Sequence, residues 1–188
     1  MGSARTPQPD LRLFVAVYPP ERVARALLAE LDALSIPEHR ITPVEQVHMT
    51  LQFIGDTRTK DLERVRESVE RSVSGIHSFV LTPIRLLTLP ERRPARLIAA
   101  TTDAPAALLE IHRRLAHRLA RETRKNTSDR FLPHFTLCRF ARGTTGARAD
   151  REIACEPFRV ASVSLVKSVL RPGGAAHAEV ARFPLADD

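Results

Sequence analysis

The sequence predicts a mixed α+β fold. Segments rich in β-branched and aromatic residues interleave irregularly with segments of helical period, in the order strand, helix, strand, helix, strand, strand, helix, strand, strand, strand. A short pattern, His-apolar-Thr-Leu, occurs twice, once in each half. At 188 residues the chain fits one domain, or two small lobes sharing a core.

The elements follow in order. Leu11 to Tyr18 (LRLFVAVY) has the composition of a buried strand, stopped by Pro19-Pro20. In ERVARALLAELDALS, residues Val23, Leu27, Leu31 and Leu34 recur at helical spacing. Val47 to Ile54 alternates, with Val47, Met49, Leu51 and Phe53 expected on one face and His48, Thr50 and Gln52 on the other, ending at Gly55-Asp56. A second amphipathic helix is expected over 59–73 on the stripe Leu62, Val65, Val69 and Val73. Strands are expected at 78–88 and 95–101 around the basic turn PERRPAR. Asp103 and Pro105 fit the start of a third helix lined by Leu108, Ile111, Leu115 and Leu119. The polar segment RETRKNTSDR (121–130) is expected to be a mobile loop, followed by the strand-like FLPHFTLCRF. Two further apolar stretches, 158–170 and 178–185, flank the turn RPGG.

The composition, 43% hydrophobic and 27% charged, is globular. Lys and Arg number 29 against 22 Asp and Glu, a net charge of +7 that favours a polyanionic partner. With no Trp and one Tyr, an extended aromatic platform for single strands is disfavoured. Cys138 and Cys155 are too few for a disulfide framework or a Cys-rich zinc site, and suit a reducing compartment. No apolar run approaches the roughly 20 residues that span a bilayer. Residues 1–10 (MGSARTPQPD) are polar and lack the marks of a signal peptide, so a disordered tail on a cytoplasmic protein is expected, with residues 11–188 as one bilobal domain.

The repeated segments, VHMTLQF at 47–53 and PHFTLCR at 133–139, carry the chemistry. In a strand, residues two apart point the same way. His48 and Thr50 therefore share a face, as do His134 and Thr136. If the two halves pack about a pseudo-twofold axis, two imidazoles and two hydroxyls converge in one cleft. That set suits phosphodiester chemistry. One imidazole removes a proton from water, the other gives one to the departing sugar oxygen, and the hydroxyls bind non-bridging phosphate oxygens. No metal is required. The remaining histidines (His39, His77, His112, His117, His177) form no metal-binding spacing, and His112 and His117 are expected on a solvated or partly buried helix face.

On these residues the chain resembles the 2H phosphoesterase superfamily, and most closely the RNA 2′,3′-cyclic phosphodiesterase family, also called the LigT or 2′-5′ RNA ligase family. The resemblance extends from RLFVAVYPP through VHMTLQFIGD and FLPHFTLCRF to SLVKSVLRPGG and VARFPL. It implies a bilobal α+β fold of two pseudo-symmetric sheet-plus-helix lobes around a central cleft. It implies hydrolysis of RNA terminal 2′,3′-cyclic phosphate to a 2′-phosphomonoester, with some reverse 2′-5′ ligation, and no cofactor. His48 and His134 are implied as the proton-transfer pair, Thr50 and Thr136 as phosphate-binding residues, and Phe14 and Arg139 as a nucleobase sandwich. Strict alternation would put Arg139 on the face opposite His134, so its role requires a bulge or strand end near Cys138. The family commonly has a Tyr where this chain has His177, which receives no role. Symmetry leaves open which of His48 and His134 is acid and which is base.

The expected partners are RNA ends or nucleotides bearing a 2′,3′-cyclic phosphate, with no membrane, and the protein is expected to be a monomer. Two other readings share the cleft: a non-catalytic nucleotide- or RNA-binding module, and a phosphodiesterase for an ADP-ribose cyclic phosphate. The basic segments PERRPAR and RETRKN favour a longer polyanion.

Overall fold

The computed structural model describes residues 10–91, 94–119, 131–171 and 174–187. Residues 1–9 of the expected tail over 1–10, the centre of the basic turn at 92–93, the expected loop over 121–130 and the middle of the RPGG turn lie outside the described residues.

Along the chain come β1 (Leu11–Val17), α1 (Glu21–Ala29), β2 (His39–Ile41), β3 (Met49–Thr57), α2 (Leu62–Val73), β4 (Phe79–Leu81), β5 (Pro83–Leu89), β6 (Leu97–Thr102), α3 (Ala106–Leu119), β7 (His134–Phe140), β8 (Asp150–Glu152), β9 (Phe158–Val160), β10 (Ser162–Arg171) and β11 (Gly174–Pro184). One antiparallel sheet has the order β11-β10-β1-β3, a second the order β2-β7-β6-β5-β8, and β4 pairs β9 separately.

The repeat seen in sequence is a strand–helix–strand unit. In the first copy β1 and β3 lie antiparallel with α1 between them in the chain; in the second β6 and β7 do the same across α3. Each motif strand then sits beside its partner in matching order, β3-β1-β10-β11 against β7-β6-β5-β8. The lobes are not simply halves of the sequence. The C-terminal hairpin β10–β11 completes the first sheet, and β2, from the first half, borders β7 in the second.

Apolar side chains explain the layering. Leu13, Val15 and Val17 of β1, Val163 and Leu165 of β10, and Leu86, Ile98, Phe135 and Leu137 of the second sheet belong to one continuous buried cluster. Helix α2 packs against β10 and β11, α3 packs against β3, and the two helices pack on each other through stripes that include Val65, Val69, Leu108, Ile111 and Leu115. Phe14, Ala16 and Val166 form a separate small cluster on the opposite face of the first sheet. Two fully buried faces joined in one core leave the outer faces to carry polar residues.

Several details depart from the sequence pattern. Helix α1 stops at Ala29, although Leu31 remains buried after it. Strand β3 continues through Gly55 and Asp56 to Thr57, because Gly55 takes a φ of 76° and keeps its pairing with Leu13. The Asp103 carboxylate accepts the Thr82 backbone N–H at 2.8 Å, tying the start of the α3 connection to the β4–β5 junction. The largest departure is in β3 itself. Its register against β1 skips Leu51 and Ile54, so Phe53 pairs opposite Phe14 and turns outward while Ile54 turns into the core.

Candidate active site

Each histidine stands at the entrance to its motif strand, and the neighbours that hold it are apolar. Val47, Met49 and Leu51 anchor the first motif in the core, and Phe135 and Leu137 anchor the second. A 3₁₀ turn at Val44–Gln46 precedes His48 and presents the Gln46 carbonyl to its ring. His48 Nδ1–H donates to Gln46 O at 2.6 Å, and His134 Nδ1–H donates to Leu132 O at 2.7 Å. A carbonyl oxygen only accepts, so the proton of each neutral ring lies on Nδ1 and Nε2 is left to exchange protons.

Register fixes which side chains share a face. On β6, Leu97, Ala99 and Thr101 are two apart and point together; they pair with Arg139, Thr136 and His134. The shift between Ile98 and Ala99 skips Leu137, which leaves Leu137 and Cys138 both buried and brings Arg139 onto the face of His134 and Thr136. The first motif bulges at the same point: Ala16 pairs with Thr50, Val15 with Gln52, and Leu51 is skipped. Thr50 and Phe53 therefore lie on the face of Ala16 and Phe14. Five residues after each histidine, Phe53 and Arg139 occupy equivalent places.

The extra residue of a bulge cannot use the regular ladder, so its carbonyl needs another donor. Leu137 O receives Thr42 N–H at 2.8 Å, available because β2 borders β7. Strand β3 lies at a sheet edge and has no such neighbour. Its Leu51 O accepts His112 Nδ1–H at 2.8 Å from α3, and the His112 ring stacks on Phe131 with centroids 4.0 Å apart. His112 is thus a half-buried ring that holds the first motif, a task its helical spacing does not reveal.

Around His48 the rings crowd. Phe14 lies 5.0 Å away, Tyr18 5.6 Å and His177 5.0 Å, centroid to centroid. His177, on β11, also meets Phe14 edge-on at 5.0 Å, and its Nδ1 is buried with no hydrogen-bond partner among the described residues. Burial pushes the His48 pKa down to about 4, against the pull of the Gln46 carbonyl. Positive charge on His177, and then on Arg139 and His134 of β7, pushes it the same way. Strands β3 and β7 also touch, which sets the two motifs side by side. Burial also lowers the pKa of His177. Tyr18 is pushed up to about 12 by burial and by the charge of Glu179.

The predicted site residues divide by exposure. His48, Thr50, His134 and Thr136 are all half-buried, each reachable from the outer face. Arg139 is exposed. Phe14 is on the site face but only 3% exposed, covered by its ring neighbours, whereas Phe53, 6.1 Å from it, is 67% exposed. Sequence alternation assigns Phe53 to the core; only the bulges, which have no residue signature, move it. Among the described residues no group of three or more His, Cys, Asp or Glu side chains is placed to hold a metal ion. No helix among them is long and apolar enough to cross a membrane.

Known proteins resemble this chain over nearly its whole length. Residues 19–170 match the 2′-5′ RNA ligase superfamily. A Methanothermobacter thermautotrophicus protein named RNA 2′,3′-cyclic phosphodiesterase is 24% identical over 184 residues, spanning 93% of this chain and 99% of the relative. A crystal structure from Thermus thermophilus superposes with a TM-score of 0.78 at 25% identity, covering 93% of this chain and 97% of the other. Apo Escherichia coli LigT superposes with a TM-score of 0.75 at 19% identity, over 95% and 99% of the two chains. The α+β architecture of two antiparallel sheets is that of these structures, and the chain belongs to the 2′-5′ RNA ligase superfamily, the LigT-like 2H phosphoesterases.

Proposed function

We propose that the protein hydrolyses terminal 2′,3′-cyclic phosphates of RNA to 2′-phosphomonoesters. The observation that carries this reading is the doubled arrangement of His and Thr. Two imidazoles whose Nε2 atoms make no hydrogen bond among the described residues and two hydroxyls stand at equivalent positions of two strands in contact. Proton transfer in both directions at one phosphorus needs such a pair; simple anion binding does not.

In the proposed reaction a water oxygen attacks phosphorus as the P–O3′ bond breaks. One imidazole Nε2 takes the proton from water, and the other, protonated beforehand, gives its proton to O3′. The product is a 2′-phosphomonoester with a free 3′ hydroxyl. The pair is left with its protonation exchanged and resets through solvent. Thr50 and Thr136 donate to the non-bridging oxygens, where negative charge grows. With a ribose 5′ hydroxyl in place of water as the attacking group, the same steps form a 2′-5′ linkage. The scheme uses no metal ion.

The nucleobase of the terminal residue is assigned to the same face. Arg139 offers its guanidinium for stacking. Phe14, nearly covered, serves as the floor beneath His48, and the exposed Phe53 beside it offers an open ring face. The relative named RNA 2′,3′-cyclic phosphodiesterase supports the activity, and structures of LigT complexed with 3′-AMP and with ATP support a nucleotide ligand. The test is turnover of a nucleoside 2′,3′-cyclic phosphate in EDTA. Undiminished production of the 2′-monophosphate is expected. Binding without product would instead mark a nucleotide-binding module, and activity lost in EDTA and restored by a divalent ion would remove the metal-free scheme.

A further inference from the structure

The pairing of β2 with β7 sets Arg40 directly opposite Arg139. Residues opposite each other on an antiparallel pair point to the same side, and like charges so placed destabilise the pair unless something offsets them. Nothing among the described residues does. Neither guanidinium has an ion-pair or hydrogen-bond partner among them, although most other arginines of the helices and of the second sheet are paired, as Arg85 is with Asp150 and Arg114 with Glu110. Although Arg139 is exposed overall, partial desolvation by its neighbours, and then the charge of Arg40, lowers its proton affinity. The two arginines line a groove of about 580 Å³ with His39, Phe140 and Thr144. His39 is fixed there by Nδ1–H donating to Pro37 O at 2.8 Å and by an edge contact with Phe140. Glu38 shares the groove but pairs with neither arginine.

Arg139 links this groove to the candidate site, since it shares the face of His134 and Thr136 and its charge bears on His48. We infer that Arg40, with Arg139 beside it, forms a subsite for the phosphodiester that precedes the terminal nucleotide of an RNA strand. A doubly cationic position with no counter-charge among the described residues, on the strand face that carries His134 and Thr136, fits a second anion on the same ligand. It makes the preferred substrate an oligonucleotide rather than a lone cyclic nucleotide. The inference rests on the cyclic phosphodiesterase reading and adds the part of the substrate that reading leaves unspecified.

The test compares kcat/KM for a nucleoside 2′,3′-cyclic phosphate with that for a short oligonucleotide carrying the same terminus, using wild type, Arg40→Ala and Arg40→Lys. The ratio of oligonucleotide to mononucleotide kcat/KM is expected to fall about tenfold in Arg40→Ala and to recover in part in Arg40→Lys. Equal losses on the two substrates, or none, would overturn the subsite. A second measurement does not need turnover: fluorescence anisotropy of a labelled oligonucleotide ending in a 2′-phosphate, over a salt series. The slope of log affinity against log salt is expected to be shallower by about one in Arg40→Ala. An unchanged slope would overturn the subsite even if the enzyme is active. A shallower slope with no turnover of either substrate would keep the subsite and remove the activity.

Discussion

His48 and His134, 86 positions apart in the chain, are held by the same hydrogen bond, each ring Nδ1–H donating to the carbonyl two residues upstream. The local structures that supply the carbonyl differ: a 3₁₀ turn ends at Gln46, whereas Leu132 precedes the buried Pro133. The common outcome is one tautomer for both rings, with Nε2 left as the nitrogen for the proposed proton exchange. Removing either ring removes one of two proton carriers. His48→Ala and His134→Ala are each predicted to lower kcat by about 10²–10⁴, while circular dichroism at pH 7 shows the wild-type fold.

The hydroxyls act differently. Thr50→Val and Thr136→Val keep the β-branched shape on a strand but lose the donor to the phosphate. A fall in kcat of about 10²-fold is predicted for each, in the range of losing one oxyanion donor, with a smaller change in KM. A rise in KM alone would mean that the hydroxyls bind ground state and transition state alike.

His48 also couples folding to pH. Its ring has a pKa of about 4 in the folded chain against 6.5 for a free ring. Above pH 6.5 both states are neutral and the difference has no effect. Between 6.5 and about 4 the unfolded chain takes up a proton that the folded chain refuses, so stability falls as pH falls. The loss amounts to at most about 3 kcal/mol. Denaturant unfolding at pH 7 and pH 4.5 is predicted to show a larger drop for wild type than for His48→Phe. An equal drop would mean that the ring titrates normally.

His177 contributes to that depression from β11. In His177→Phe the aromatic contact with His48 is kept and the titratable neighbour is lost. The His48 pKa, followed by NMR of its ring protons, is predicted to move upward while remaining below 6.5, because burial is the larger cause.

His112 lies on α3, beyond the reacting groups, yet its ring takes up the carbonyl of the bulged Leu51. His112→Ala leaves that carbonyl without its donor and removes the stack on Phe131, at a predicted cost of about 1–3 kcal/mol. Because Leu51 follows Thr50, kcat is predicted to fall more than KM changes. His112→Asn, with a shorter side chain that still carries an N–H, is predicted to recover part of the stability.

Much of the site is legible in the residues. The repeat His-apolar-Thr-Leu locates both motif strands, because alternation with Met49, Leu51, Phe135 and Leu137 marks a half-buried strand whatever its partners. Alternation also flags Arg139 as out of phase, and the bulge at Leu137 resolves it. What alternation does not carry is position in the sheet. Phe53 reads as a core residue until the skipped Leu51 and Ile54 are seen against β1. Strands β2 and β8 are three residues each and hold Arg, His, Asp and Glu, so they have almost no apolar signal. They become strands by pairing with β7 and β5, a tertiary effect. The Arg40–Arg139 juxtaposition depends on one of these, and no sequence spacing announces it.

The proposed reaction has two histidines from separate strands acting on one cyclic phosphate. Its most direct measurement is product analysis of an RNA oligonucleotide ending in a 2′,3′-cyclic phosphate, incubated in EDTA with wild type, His48→Ala and His134→Ala. A 2′-phosphate end is expected from wild type alone, and an intact cyclic phosphate from both variants over the same interval. Wild-type turnover retained in either variant, or a cyclic end untouched by the wild type, would contradict it.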